Sequence, residues 1–90
     1  ELDPRSADAA NGVGVVLVQE RRPGEAIPWF ERALRLSPDF VEARLNLGIA
    51  YQESGERERA RAAYQAVLVQ AARSAPERRA AADLLRSLEQ

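Results

Sequence analysis

The chain has 90 residues, 46% hydrophobic and 30% charged, a length and balance that fit one small globular domain and argue against disorder. Its 13 basic and 14 acidic side chains nearly cancel, so a nucleic-acid partner is not implied. The absence of Cys excludes disulfides and thiolate metal sites and leaves the redox compartment open, and no apolar run approaches the ~20 residues needed to span a bilayer.

Every basic residue is Arg, a bias that fits a GC-rich, bacterial genome. With no signal peptide in view, a cytoplasmic setting is favoured. The chain opens on Leu2-Asp3-Pro4, which sits 34 residues before Leu36-Ser37-Pro38. Residues 1–5 therefore read as the end of a preceding repeat, with Asp3 able to cap a helix and Pro4 suited to its first position. The lack of any Met points the same way, to a chain processed or cut from a longer protein.

The first helix is expected over 7–20, with Ser6 at its capping position. Local signals compete there, since Asn11-Gly12 is a hairpin-turn pair and Val13 to Val18 is rich in strand formers. Gly12-x-Gly14 is half a phosphate-cradling motif, but it lacks the third glycine and a preceding strand. Arg21-Arg22-Pro23-Gly24 forms the turn into a second helix running to Leu36. Pro28 is tolerated if that helix starts near Gly24, Glu31 and Arg35 are spaced for an ion pair, and Trp29 is expected to pack on a neighbouring helix.

Ser37-Pro38-Asp39 reads as the start of a third helix, with Ser37 as N-cap and Pro38 in first position, ending near Glu53. Ala43, Leu47, Ala50 and Tyr51 form its inner stripe, while Leu45 and Ile49 make a second apolar face. A tight turn at Ser54-Gly55 leads to a fourth helix over about 56–73, where Arg57 and Arg61 beside Glu56 and Glu58 make a solvated face. Ser74 followed by Glu77 is a capping box for a fifth helix to Leu88. Leu84, Leu85 and Leu88 are its apolar side; Arg78, Arg79, Arg86 and Glu89 are its wet one.

Glycine inside a helix costs ~1 kcal/mol against alanine, so Gly48 needs a packing reason, and a second helix crossing beside it supplies one. The pattern recurs at a spacing of 34 residues: Gly14 with Gly48, Ala26 with Ala60, Phe30 with Tyr64, Ala33 with Val67. Leu47-Gly48, Tyr51, Ala60 and Tyr64, with Val13-Gly14, Leu17, Ala26, Phe30 and Pro38 before them, resemble the tetratricopeptide repeat. The departures are Ala10 and Arg44 at the leading aromatic and Ala72 at the second closing proline. The resemblance implies an all-α fold, a right-handed α-solenoid of two helix-turn-helix repeats plus a C-terminal capping helix. As one domain over 1–90 it divides into repeat one over 6–38, repeat two over 39–73 and the capping helix over 74–90.

Chemistry is sparse. Without His, Cys or Lys there is no usual general base, thiol nucleophile or Schiff-base residue, and Ser6, Ser37 and Ser74 stand where capping explains them. No enzyme, cofactor or metal site is expected. The resemblance implies a protein–protein interaction module that holds a peptide or helix in a concave groove; the alternative is a structural spacer or self-association segment. Carried over by alignment, the groove would be lined by Asp8, Asn11, Val15, Gln19, Glu42, Leu45, Asn46, Ile49 and Glu53, with Arg79 and Asp83 at its far wall. Asn46 falls where many family members bind a ligand's backbone, but Gly12 holds the equivalent place in repeat one. Members that grip acidic chaperone tails use a Lys, Arg and Asn set of which only Asn46 is present. The expected partner is an apolar or basic protein segment, because Glu42, Glu53 and Asp8 flank Leu45, Ile49 and Val15, with no nucleic acid and no membrane insertion. An open apolar surface around Val16, Ile27 and Leu34 is expected to pair copies into a homodimer through the N-terminal hairpin.

Overall fold

The competition between helix and strand near the N-terminus resolves as helix. Ser6 caps α1 (Ala7–Gln19), its Oγ accepting the Ala9 N–H at 3.1 Å. Ala10, Asn11 and Gly14 are the buried residues of α1. That spacing lies on one side of a helix, whereas a strand would turn Ala10 and Asn11 to opposite faces. The computed structural model describes residues 5–72 and 75–89. Among these, α1 is followed by α2 (Pro23–Leu36), α3 (Val41–Glu53), α4 (Arg57–Gln70) and α5 (Pro76–Leu88). Asp3, Pro4, Arg73 and Ser74 lie outside the described residues; α5 begins at Pro76 with Ala75 in the capping position.

Each hairpin closes at one point. A Cβ on Gly14 would stand 2.5 Å from Phe30 Cε1, and one on Gly48 would stand 2.5 Å from Tyr64 Cε1 and 3.2 Å from Ala63 Cβ. The aromatic ring of the second helix thus fills the space that any side chain on the first would need. Phe30 and Tyr64 are both fully buried.

The two turns share one hydrogen-bond pattern. Arg22 N–H donates to Leu17 O at 2.8 Å and Arg21 N–H to Val18 O at 3.0 Å. Glu56 N–H donates to Tyr51 O at 2.8 Å and Gly55 N–H to Gln52 O at 3.1 Å. These are paired Schellman closures, which need a left-handed residue just past the helix. Gly55 takes that conformation with φ 84°, and Arg21 takes it with φ 66°.

Successive helices then stack. Phe30, Leu47, Ala50, Tyr51, Tyr64, Val67, Ala81 and Leu88 belong to one buried cluster that runs from α2 to α5. A second cluster joins Ala10, Ala33 and Ala43, with Trp29 packed against it as expected. The Arg78 guanidinium donates to the Leu68 carbonyl and ties α5 to the end of α4. Pro28 is tolerated inside α2, and Gly24, whose carbonyl loses the Pro28 N–H as partner, is solvent-exposed.

Three expectations are corrected. Ser37 is not the N-cap of α3: it ends α2, its N–H donating to Ala33 O at 2.8 Å, and Phe40 N–H donates back to Ser37 O at 3.0 Å. Pro38 sits inside this turn, and α3 starts only at Val41 with Phe40 in the capping position. A fixed proline φ serves the second residue of a turn as well as the first of a helix, and the chain must reverse here. Glu31 does not pair with Arg35 but accepts the Tyr51 hydroxyl at 3.0 Å. Ile27 and Leu34 are half-buried against the core, so the open apolar surface of the first hairpin belongs to α1.

Candidate functional site

The first helices of the two hairpins, α1 and α3, lie side by side. Val15 and Val18 are one turn apart on α1, as are Asn46 and Ile49 on α3. With Gln19 and Phe30 these four residues line a cavity of about 90 Å³. Val18 and Gln19 also line a wider depression of about 670 Å³, together with Arg21, Pro23 and Glu53. The two volumes are neighbours that share Val18 and Gln19 in their walls. Their floor is apolar at Val15, Val18 and Ile49, and their mouth carries both signs of charge in Arg21 and Glu53.

A polar clasp joins α1 and α3. Asn46 Nδ2 donates to Asn11 Oδ1 at 3.1 Å. Asn11 is only 7% exposed, so this bond satisfies a side chain that burial would otherwise penalise. Two tyrosine hydroxyls brace the outer helices. Tyr51 donates to Glu31 at 3.0 Å and Tyr64 to Gln52 at 2.7 Å. Burial raises the Tyr51 pKa, helped by the bond to Glu31; burial, then the nearby Glu53 charge, pushes Tyr64 up to about 12. Both hydroxyls stay neutral across the physiological range. The expected charged face at the start of α4 carries surface ion pairs, Arg59 with Glu56 at 3.5 Å and half-buried Arg61 with exposed Glu58 at 3.7 Å, and such pairs stabilise little.

Of the residues expected from sequence to line a groove, Val15, Gln19, Asn46 and Ile49 share the cavity, and Glu53 joins Gln19 at the wider depression. Asn11 is buried beneath Asn46. Asp8 and Glu42 are exposed, and Leu45 is half-buried against the core. None of these three lines either volume, and neither do Arg79 and Asp83, which are exposed on α5. The residues that sequence reasoning missed are Val18, Phe30, Arg21 and Pro23. Val18 follows Val15 by one helical turn and adjoins Gln19, a spacing that could have found it. Among the described residues no group of acidic side chains is placed to hold a metal ion, and no helix is long and apolar enough to cross a membrane.

Paired helices repeated at a fixed spacing, each packed on the next, define an all-α helical repeat. The tetratricopeptide repeat family pattern matches residues 17–88. The chain is also 37% identical over 67 residues to Tetratricopeptide repeat domain-containing protein PYG7, chloroplastic, of Arabidopsis thaliana, a match that covers 74% of this chain. The chain belongs to the tetratricopeptide repeat family, whose repeats generally mediate protein–protein interaction and are typically non-enzymatic. The match spans 22% of the length of the Arabidopsis protein.

Proposed function

We propose that the cavity between α1 and α3 and the depression beside it hold a segment of a partner protein, and that the chain has no catalysis of its own. The observation that carries this reading is the cavity lined by Val15, Val18, Asn46 and Ile49, which adjoins the depression at Gln19 and Glu53. An apolar side chain of the partner fits the floor, since it removes valine and isoleucine surface from water. Glu53 at the mouth, with Asp8 and Glu42 further along the same two helices, favours a basic residue beside that apolar anchor. Arg21 on the same rim sets a limit, because a run of consecutive cations would meet it.

A peptide array tests this. Selective capture of segments that combine apolar and basic residues is the expected result. Glu53→Lys, at an exposed position, should weaken such a peptide about tenfold without loss of helical circular dichroism, and Gln19→Arg, exposed where the two volumes share a wall, should weaken it as well. If no segment binds selectively, the chain is a structural spacer. If both variants bind as the parent does, the partner sits elsewhere.

A further inference from the structure

Arg21 is the one non-glycine residue with a positive φ among the described residues, at 66°. Its counterpart one repeat later, Gly55, closes the same pair of turn bonds at φ 84°, so the turn itself asks only for glycine. A side chain carried at the cost of a left-handed backbone has its reason outside the turn, and such outliers gather at ligand sites. The place that Arg21 reaches supplies the reason. It is exposed and lines the depression of about 670 Å³ beside the cavity between α1 and α3. The walls of this site come from α1, the turn after it and α3, all within the described chain.

Among the described residues no carboxylate pairs with Arg21. The two acidic side chains nearest to it in sequence are taken by the next residue. Arg22 donates to Glu20 at 3.2 Å and to Glu25 at 2.6 and 3.0 Å. The adjacent arginines thus differ in use: Arg22 braces the turn between two carboxylates, while Arg21 keeps its charge for the depression. Glu53 lines the same depression and is joined neither to Arg21 nor to any other cation among the described residues. One apolar cavity therefore adjoins a cation and an anion that neutralise nothing inside the fold.

We propose, resting on the reading that the cavity holds an apolar anchor of a partner segment, that Arg21 selects a carboxylate on that segment. The ligand is then a dipolar peptide, with an acidic residue at Arg21, a basic residue at Glu53 and an aliphatic residue in the cavity. A guanidinium suits this role because its flat fork of N–H donors grips both oxygens of a carboxylate. Unlike charges on the rim also fix which way round the segment lies. Reversed, its acid would face Glu53 and its base Arg21. A segment that is only basic meets repulsion at Arg21, and one that is only acidic meets it at Glu53.

A peptide array built on a central valine tests this, with alanine and serine flanks into which one lysine, two lysines, or one lysine and one glutamate are scanned. The best dipolar peptide should bind about tenfold tighter than the best peptide with lysine alone, the scale of one charge-assisted bond. Arg21→Gly, which relaxes the turn and should keep its helical circular dichroism, should remove that advantage without weakening the lysine-only peptides. Arg21→Glu should reverse the preference, favouring two lysines over lysine with glutamate. Arg35→Gln, which removes an equal charge at the exposed far end of α2, should leave every preference as it was. If no peptide of any set binds, the groove reading fails and this inference with it. If lysine-only peptides bind as tightly as dipolar ones, if Arg21→Gly keeps the advantage, or if Arg35→Gln erases it equally, the groove reading stands and the role given to Arg21 is overturned.

Discussion

The two hairpins solve the same problem with different tolerance at two points. At the crossing they are nearly interchangeable, since Gly14 under Phe30 and Gly48 under Tyr64 leave the same 2.5 Å to a Cβ that is not there. At the turn they diverge, because Gly55 adopts a left-handed backbone that costs it little, while Arg21 adopts the same conformation against its Cβ. The difference separates a volume constraint from a conformational one. A ring already filling the space allows no side chain beside it, whereas a strained backbone angle is a cost of fixed size that the packed hairpin can absorb. The ring itself supplies the other contrast, since Phe30 is inert to pH and Tyr64 is not.

The largest test of that comparison is to fill both crossings. Gly14→Val and Gly48→Val should each destabilise by about 3 kcal/mol, because the new atoms overlap a buried ring and branched residues are poor helix formers. Urea melts should show both variants largely unfolded and losing similar stability. If one of them melts like the parent, the crossings are not equivalent.

Alkaline pH should separate the hairpins through Tyr64. Its folded pKa, pushed to about 12, lies above the unfolded value near 10. The folded state therefore keeps its proton while the unfolded state loses it, and the stabilisation, fully present below pH 10, declines as pH rises from about 10 to 12. The slope should approach about 1.4 kcal/mol per pH unit for this group, with Tyr51 adding in the same direction. Tyr64→Phe should flatten the decline in guanidinium melts taken at successive pH values; an unchanged slope would place the titration elsewhere.

The smallest effect lies at the turns. Arg21→Gly should stabilise by about 0.5–1 kcal/mol, the relief of left-handed strain being partly offset by the greater freedom of glycine in the unfolded chain. Gly55→Arg should destabilise by a similar amount. Paired thermal melts would show the two midpoints moving in opposite directions, and movement in the same direction would refute the shared-turn account.

Most of the helical frame was readable from residues alone because its determinants are local or recur at a fixed spacing. Gly14, Phe30, Gly48 and Tyr64 announce the crossings, and Ser6 announces the start of α1. The ambiguous segments were those whose chemistry serves two geometries. Ser37-Pro38-Asp39 has the composition of a helix start, yet its carbonyl partners come from afar: Arg44 Nη2 and Gln70 Nε2 donate to Pro38 O at 2.9 and 3.0 Å. No local pattern records those bonds. Of the aliphatic side chains expected at a groove, Val15 and Ile49 line the cavity, whereas Leu45 packs against the core and Val18 was not expected, because which side of a helix faces a cavity depends on how its neighbours stack. The polar arrangement of the site was not legible, because the bond between Asn11 and Asn46 depends on how two helices far apart in the chain align. Arg21 reaches the rim only through a backbone conformation that its residue type disfavours.

Whether the cavity between α1 and α3 binds a partner segment is tested most directly by amide chemical shifts of the labelled chain, titrated with the strongest array peptide. The largest changes should fall at Val15, Val18, Gln19, Asn46, Ile49 and Glu53, saturating together at a single affinity. No change at those positions at millimolar peptide, or changes confined to Ala9, Val13 and Val16 or to the outer sides of α2 and α4, would contradict the account.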